Sequence, residues 1–253
     1  VNRTPRIQSV ARAARLLDVM EDGAWHELRR LARHAGLAKA TAFNLLQTLA
    51  ATGLAEHDAQ RGMYRLGLKH LAYGRAVERR LDLRPLALPM LTRLCAETGE
   101  TVNLALPRPI DAIIVESLEG TRHGVRVTSY AGTSAAYHST ACGRALLMLR
   151  PEAERRALYA LGPLAAATPR TVTHPAQLER LLADARARGF AVEIEENERG
   201  AACVAAPLPG PDGSALAAIS IAGPLSRMDA RSIAAHGARL VEAMRPLVRA
   251  VAG

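Results

Sequence analysis

Cysteine is scarce: only Cys95, Cys142 and Cys203 occur in 253 residues, far apart and with no Cys-x-x-Cys pair. That spacing argues against a disulfide framework or a structural zinc site and fits a reduced, cytoplasmic compartment. Aromatic residues make up 3% of the chain, and Trp25, Phe43, Tyr64 and Tyr73 are the only such rings before residue 81. Binders of single-stranded nucleic acid stack bases on aromatic platforms, so that class is disfavoured. No run of ~18 apolar residues exists to span a membrane. The opening Val-Asn-Arg-Thr-Pro-Arg has no apolar core behind it, as a secretory signal would. Also missing are a phosphate-cradling glycine loop and a His/Cys cluster at metal-ligand spacing, so neither cofactor nor metal is expected.

What is present is concentrated between Leu28 and Leu66. Leu28, Leu31, Ala32 and Ala35 recur at helical spacing, and Gly36 follows where a tight inter-helix turn needs a residue without Cβ. Ala42, Leu45, Leu46 and Leu49 then repeat at i, i+3, i+4 and i+7. Two short helices therefore share one small core. The other face of the second helix carries Lys39, Ala40, Phe43, Asn44 and Gln47, with Thr41 near its start. Asn and Gln can pair with adenine in a major groove, and an apolar group can lie against the thymine methyl. Leu54 to His57 and Met63 to Leu66 flank the polar turn Asp58-Ala59-Gln60-Arg61-Gly62, a hairpin with Arg61 at its tip. The whole reads as a winged helix-turn-helix.

Charge points the same way. Residues 1–80 hold 14 Lys/Arg against 7 Asp/Glu, whereas residues 81–253 hold 19 against 17. Most of the net +9 thus lies on the segment with the two-helix motif, the footprint expected for a duplex polyanion.

The remaining periodicities divide the chain at 1–67, 68–82 and 83–253. Ser9 to Met20 predicts a first helix with Ser9 as N-cap. Leu68 to Leu81, ending in Glu78-Arg79-Arg80, predicts a helical linker, and a further helix runs from Leu83-Arg84-Pro85 to Thr98. Strands are expected at Thr101 to Leu106, Asp111 to Ser117, Val125 to Tyr130, Phe190 to Ile194, Ala201 to Pro207 and Ala215 to Ala222. Helices are expected at Thr140 to Leu149, Pro151 to Leu161, Pro175 to Gly189 and Asp229 to Val251. The layout is α+β, one antiparallel sheet of about six strands with helices on it.

With these elements in place the chain resembles the IclR family of bacterial transcriptional regulators over nearly its whole length. The similar segments are Ile7 to Ala13, Gly36 to Thr41, Tyr64 to Gly67, Glu97 to Leu104, His138 to Ala145, Gly189 to Asn197, Gly200 to Pro207 and Ala217 to Pro224, collinear and correctly spaced. The resemblance implies a winged helix-turn-helix on operator DNA, a GAF-like effector domain, and a homodimer or dimer of dimers. Relatives carry other residues at Phe43 and Asn44, so no operator sequence is implied.

The resemblance also implies an effector site at Val125, Val127, Ala141, Cys142, Glu193, Cys203, Ser220 and Ala222, with the amides at a helix start and a serine hydroxyl holding a small carboxylate. Ala222 stands where a hydroxyl could donate, which leans the site toward an aromatic or medium-sized acid. Two other functions compete. One is a sensor or interaction protein with this fold that does not bind DNA, against which the local charge and Lys39, Thr41 and Arg61 argue. The other is an enzyme built on Cys203, Glu193 and His138, disfavoured because no nucleophile elbow surrounds Cys203. No catalytic residue is therefore assigned. Duller roles remain open too: both cysteines as buried apolar groups, and His138 satisfying a backbone group.

Overall fold

Residues 7–78 and 83–252 are described in the structure, a computed structural model. They fall into two units, Val1–Leu81 and Asp82–Gly253.

In the first unit, α1 (Gln8–Val19), α2 (Leu28–His34) and α3 (Lys39–Ala51) pack around Leu16, Met20, Leu31, Leu46 and Leu49. Helix α1 begins before Ser9, with extended Ile7 as N-cap and no side-chain cap, so the expected serine cap is not made. Gly36 ends α2 as its αL residue at φ +65°. Its N–H donates to the Arg33 carbonyl and the Leu37 N–H to the Ala32 carbonyl, two bonds that close the helix and turn the chain into α3. The wing is β2 (Ala55–Asp58) and β3 (Met63–Leu66), joined by a two-residue strand β1 (His26–Glu27) in the order β1-β3-β2. At its tip the Asp58 carboxylate accepts from the Gln60 and Arg61 backbone amides. Helix α4 spans Lys69–Glu78. The expected continuation through Arg79, Arg80 and Leu81 lies outside the described residues.

The second unit starts with α5 (Leu83–Thr98) and builds a six-stranded antiparallel sheet from β4 (Thr101–Pro107), β5 (Ala112–Leu118), β6 (Ser134–Ala135), β7 (Ala191–Ile194), β8 (Ala201–Pro209) and β9 (Ala215–Pro224), in the order β6-β5-β4-β9-β8-β7. Alternation along the strands sends residues to two cores. Val204 and Ala206 of β8 join α5 and α9 (Ala230–Ala252), while Ala205 joins α6 (Ala141–Leu147) and α8 (Pro175–Arg188) on the opposite face. Helix α7 (Glu152–Tyr159) lies between α6 and α8 in the chain. Every residue of α6 is buried. It sits so close to the 136–137 backbone that a Cβ on Gly143 would lie 2.2 Å from the Ala136 carbonyl oxygen, so no other residue fits there.

One expected strand is corrected. Val125 to Tyr130 pairs with nothing in the sheet, and the sixth strand is Ser134–Ala135, opposite Ile113 and Ala112. The β-branched residues suggested a strand, but this segment is held by side chains: Thr101 Oγ1 donates to the Val127 carbonyl at 2.5 Å and Arg227 Nη2 to the Val125 carbonyl at 3.0 Å. Backbone bonds to β5 begin only with Gly132 and Thr133, each paired with Ile114.

Candidate DNA interface and effector cavity

Helix α3 turns Ala42, Leu46 and Leu49 into the core and leaves Lys39, Ala40, Phe43 and Asn44 exposed, with Thr41 half-buried. Gln47 differs from its neighbours. It is half-buried, and its Nε2 donates to the Tyr64 hydroxyl on β3 at 3.0 Å, while the Tyr64 ring stacks on His57 at 4.4 Å. Its amide therefore fastens the wing to α3, a role the helical pattern could not reveal because Tyr64 is distant in sequence. Arg61 is exposed at the wing tip, 3.7 Å from the Asp58 carboxylate. Arg65, unremarked in the sequence, lies over the Trp25 ring and pairs with Glu56 at 2.6 Å, bracing the wing against β1.

In the second unit, strand register lays out the floor of a cavity. Thr101, Ala222, Cys203 and Glu193 are opposite one another across β4, β9, β8 and β7, and Asn103 faces Ser220 two residues along. Because side chains two apart share a face, both rows lie under α6. All of these but Thr101 floor a cavity of about 260 Å³ whose walls include Val127, Tyr130, Ala141 and Cys142. Seven of the eight residues expected at an effector site line it. Val125 does not: it is 71% exposed, in the unpaired segment corrected above.

The cavity has two carboxyl groups, Glu193 and Glu198, and no Lys or Arg among its lining residues. Glu193 is 4% exposed, and burial pushes its carboxyl up to about 7 against the pull of hydrogen bonds from the Asn197 and Glu196 backbone amides. That strand exit is held from behind by Arg144, itself buried on α6. The guanidinium donates to both Glu196 carboxylate oxygens, to the Val192 carbonyl and to the His138 carbonyl. Thr168 and Thr171 donate to the carbonyls of Glu195 and Glu196. Burial pushes the Cys142 thiol up to about 11 and the Cys203 thiol well above the usual range, with Ser220 pulling both the other way. At the head of α6 Thr140 is the N-cap, its hydroxyl accepting from the Gly143 amide at 2.9 Å.

Sequence reasoning passed over Asn103. It is 4% exposed, its Nδ2 donates to Ser220 Oγ at 3.3 Å, and its Oδ1 has no hydrogen-bond partner. An asparagine two residues from Thr101 in an otherwise apolar strand was the available signal. His138 is not at the cavity; its Nε2 bonds the Ala165 carbonyl at 2.8 Å, so Cys203, Glu193 and His138 do not form one site. No helix among the described residues is long and apolar enough to cross a membrane.

Comparison with known proteins identifies both units. The IclR helix-turn-helix domain model matches residues 9–59, and the model for the C-terminal domain of bacterial transcriptional regulator IclR matches residues 75–251. The chain is 33% identical to the HTH-type transcriptional regulator XynR of Escherichia coli over 248 residues, covering 98% of both chains. It is 36% identical to the HTH-type transcriptional regulator BhcR of Paracoccus denitrificans over 242 residues, covering 95% of this chain and 86% of that one. The crystal structure of an IclR-type transcriptional regulator from Silicibacter sp. TM1040 superposes with a TM-score of 0.83 at 29% identity, covering 97% and 96% of the two chains. By domain matches, whole-length identity and fold, the chain belongs to the IclR family of helix-turn-helix transcriptional regulators.

Proposed function

We propose that this regulator reads its operator with Lys39, Ala40, Thr41, Phe43 and Asn44, contacts phosphate or the minor groove with Arg61, and is switched by a small carboxylate in the cavity of its second unit. The observation that carries the effector part is the convergence of Ala141, Cys142, Glu193, Cys203 and Ser220 on one cavity of about 260 Å³. That size is below the ~300–1,000 Å³ of pockets for drug-sized ligands and suits an acid with one ring or less. With no basic side chain in the lining, two groups favour the anion. The first amides of α6, at Ala141 and Cys142, have no intrahelical acceptor and carry the positive end of the helix dipole. Glu193, held up to about 7, can be neutral and donate its proton to a ligand carboxylate. The protein acts by binding without turnover: its thiols are held protonated and His138 is engaged elsewhere. It works in the cytoplasm, on its operator.

A single recognition helix covers few base pairs, so a homodimer, or a dimer of dimers, places two on paired half-sites. The exposed Val10, Leu68, Leu71 and Tyr73 of the first unit support such pairing, since large apolar side chains left in water gain by association. A thermal-shift screen of carboxylates tests the switch, followed by calorimetry of the best one with free and operator-bound protein. Linkage requires the two affinities to differ, typically by ~1–3 kcal/mol. Cys142→Phe, which fills the cavity, should abolish ligand binding and spare DNA binding. Equal affinity in both states, or an unaffected Cys142→Phe protein, would overturn the proposal.

A further inference from the structure

Asn103 Oδ1 is the polar atom of the cavity that nothing satisfies. A buried carbonyl oxygen without a donor is costly, and the neighbouring Ser220 Oγ is the acceptor for the other end of the Asn103 amide. A ligand donor is what the site lacks. We infer that Asn103 is a specificity-determining residue whose Oδ1 accepts a hydrogen bond from a hydroxyl of the effector, placed at the end of the molecule remote from its carboxylate.

The remoteness comes from register. Asn103 is on β4 and Glu193 on β7, three strands apart in the order β4-β9-β8-β7, and in different rows. At 4.7–4.9 Å per strand their Cα atoms are about 14 Å apart or more, so an acid whose carboxylate takes the Glu193 proton cannot reach Asn103 with a hydroxyl on the neighbouring carbon. A ring or short chain carrying the two groups at opposite ends can. Tyr130 and Ile114 supply apolar wall along the way. This inference rests on the carboxylate reading above and sharpens it to a distal hydroxy acid.

The test is calorimetry on the full chain with matched probes: 4-hydroxybenzoate against benzoate, 4-hydroxyphenylacetate against phenylacetate, and 2-hydroxybenzoate as the vicinal control. Wild-type protein should bind the distal hydroxy acid of at least one pair about tenfold or more tightly than its deoxy partner, and 2-hydroxybenzoate no better than benzoate. Asn103→Leu, similar in size but without an acceptor, should erase that preference by weakening only the hydroxylated member. Asn103→Ala, also without an acceptor, serves if the leucine variant does not fold, and the wild-type comparison stands without either. Equal binding within both pairs, a preference that survives in the variant, or tighter binding of the 2-hydroxy isomer would overturn the inference while leaving the carboxylate reading intact. Failure of all five acids to bind would overturn the inference, and a thermal-shift screen in which no carboxylate binds would overturn the carboxylate reading as well.

Discussion

Replacing Glu193 by Gln isolates what the buried carboxyl does. The substitution keeps an oxygen to accept from the amides of Glu196 and Asn197 and removes only the titration. Burial lifts this carboxyl from 4.5 to about 7, so between those values the folded protein holds a proton that the unfolded chain releases. The contribution of this group to stability is therefore fully present below about 4.5 and is lost as pH rises through about 7. At about 1.4 kcal/mol per pH unit the loss is about 3 kcal/mol between pH 5 and pH 8. Glu193→Gln should not show this loss and should exceed wild type by about that amount at pH 8, while nearly matching it at pH 5. Urea unfolding followed by far-UV circular dichroism measures the difference. Trp25, the single tryptophan, marks the first unit by fluorescence, so a transition silent in fluorescence belongs to the second. The same proton should favour an anionic ligand, giving wild type a carboxylate affinity that falls up to about tenfold per pH unit above about 7 and the variant a flat profile. Parallel pH dependences in the two proteins would refute the reasoning.

Other expected outcomes concern the DNA-reading unit and the brace behind the cavity. Asn44→Ala should cost roughly 1–3 kcal/mol at the correct operator and relax preference at one position, whereas Arg61→Ala should weaken all sequences alike, as read by competition binding. Gln47→Ala should lower the stability of the first unit by about 1 kcal/mol in Trp25-monitored urea unfolding without changing base preference, because the lost bond is to Tyr64. A changed preference would return Gln47 to base reading. Arg144→Met strands the Glu196 carboxylate in the interior and should destabilise the second unit by about 3–5 kcal/mol in the same circular dichroism assay; a change below about 1 kcal/mol would show that Arg144 is not the brace.

The sequence by itself determined the elements whose signals are local. Helical periodicity set α2 and α3, Gly36 set the turn between them, and polar-apolar partition set the exposed face of α3, since each depends on residues within a turn or two. Alternation found five of the six strands of the large sheet, and resemblance pointed to Ala141, Cys142, Glu193, Cys203 and Ser220 before their proximity was known. Tertiary structure decided what depends on pairing between distant segments. Val125 to Tyr130 has strand-forming residues, but β5 takes Ser134–Ala135 as its neighbour instead, so propensity alone misplaced the strand and Val125 with it. His26 and Glu27 were unremarkable until β3 supplied a partner. Gln47 is placed on the outward face by helical phase, and only the fold gives it the bond to Tyr64 of the wing. Asn103 acquires meaning only where β4 aligns it with Ser220 and places both in the lining of the cavity. Hydrogen-bond satisfaction and burial are set by which strands become neighbours, and no stretch of sequence carries that information within itself.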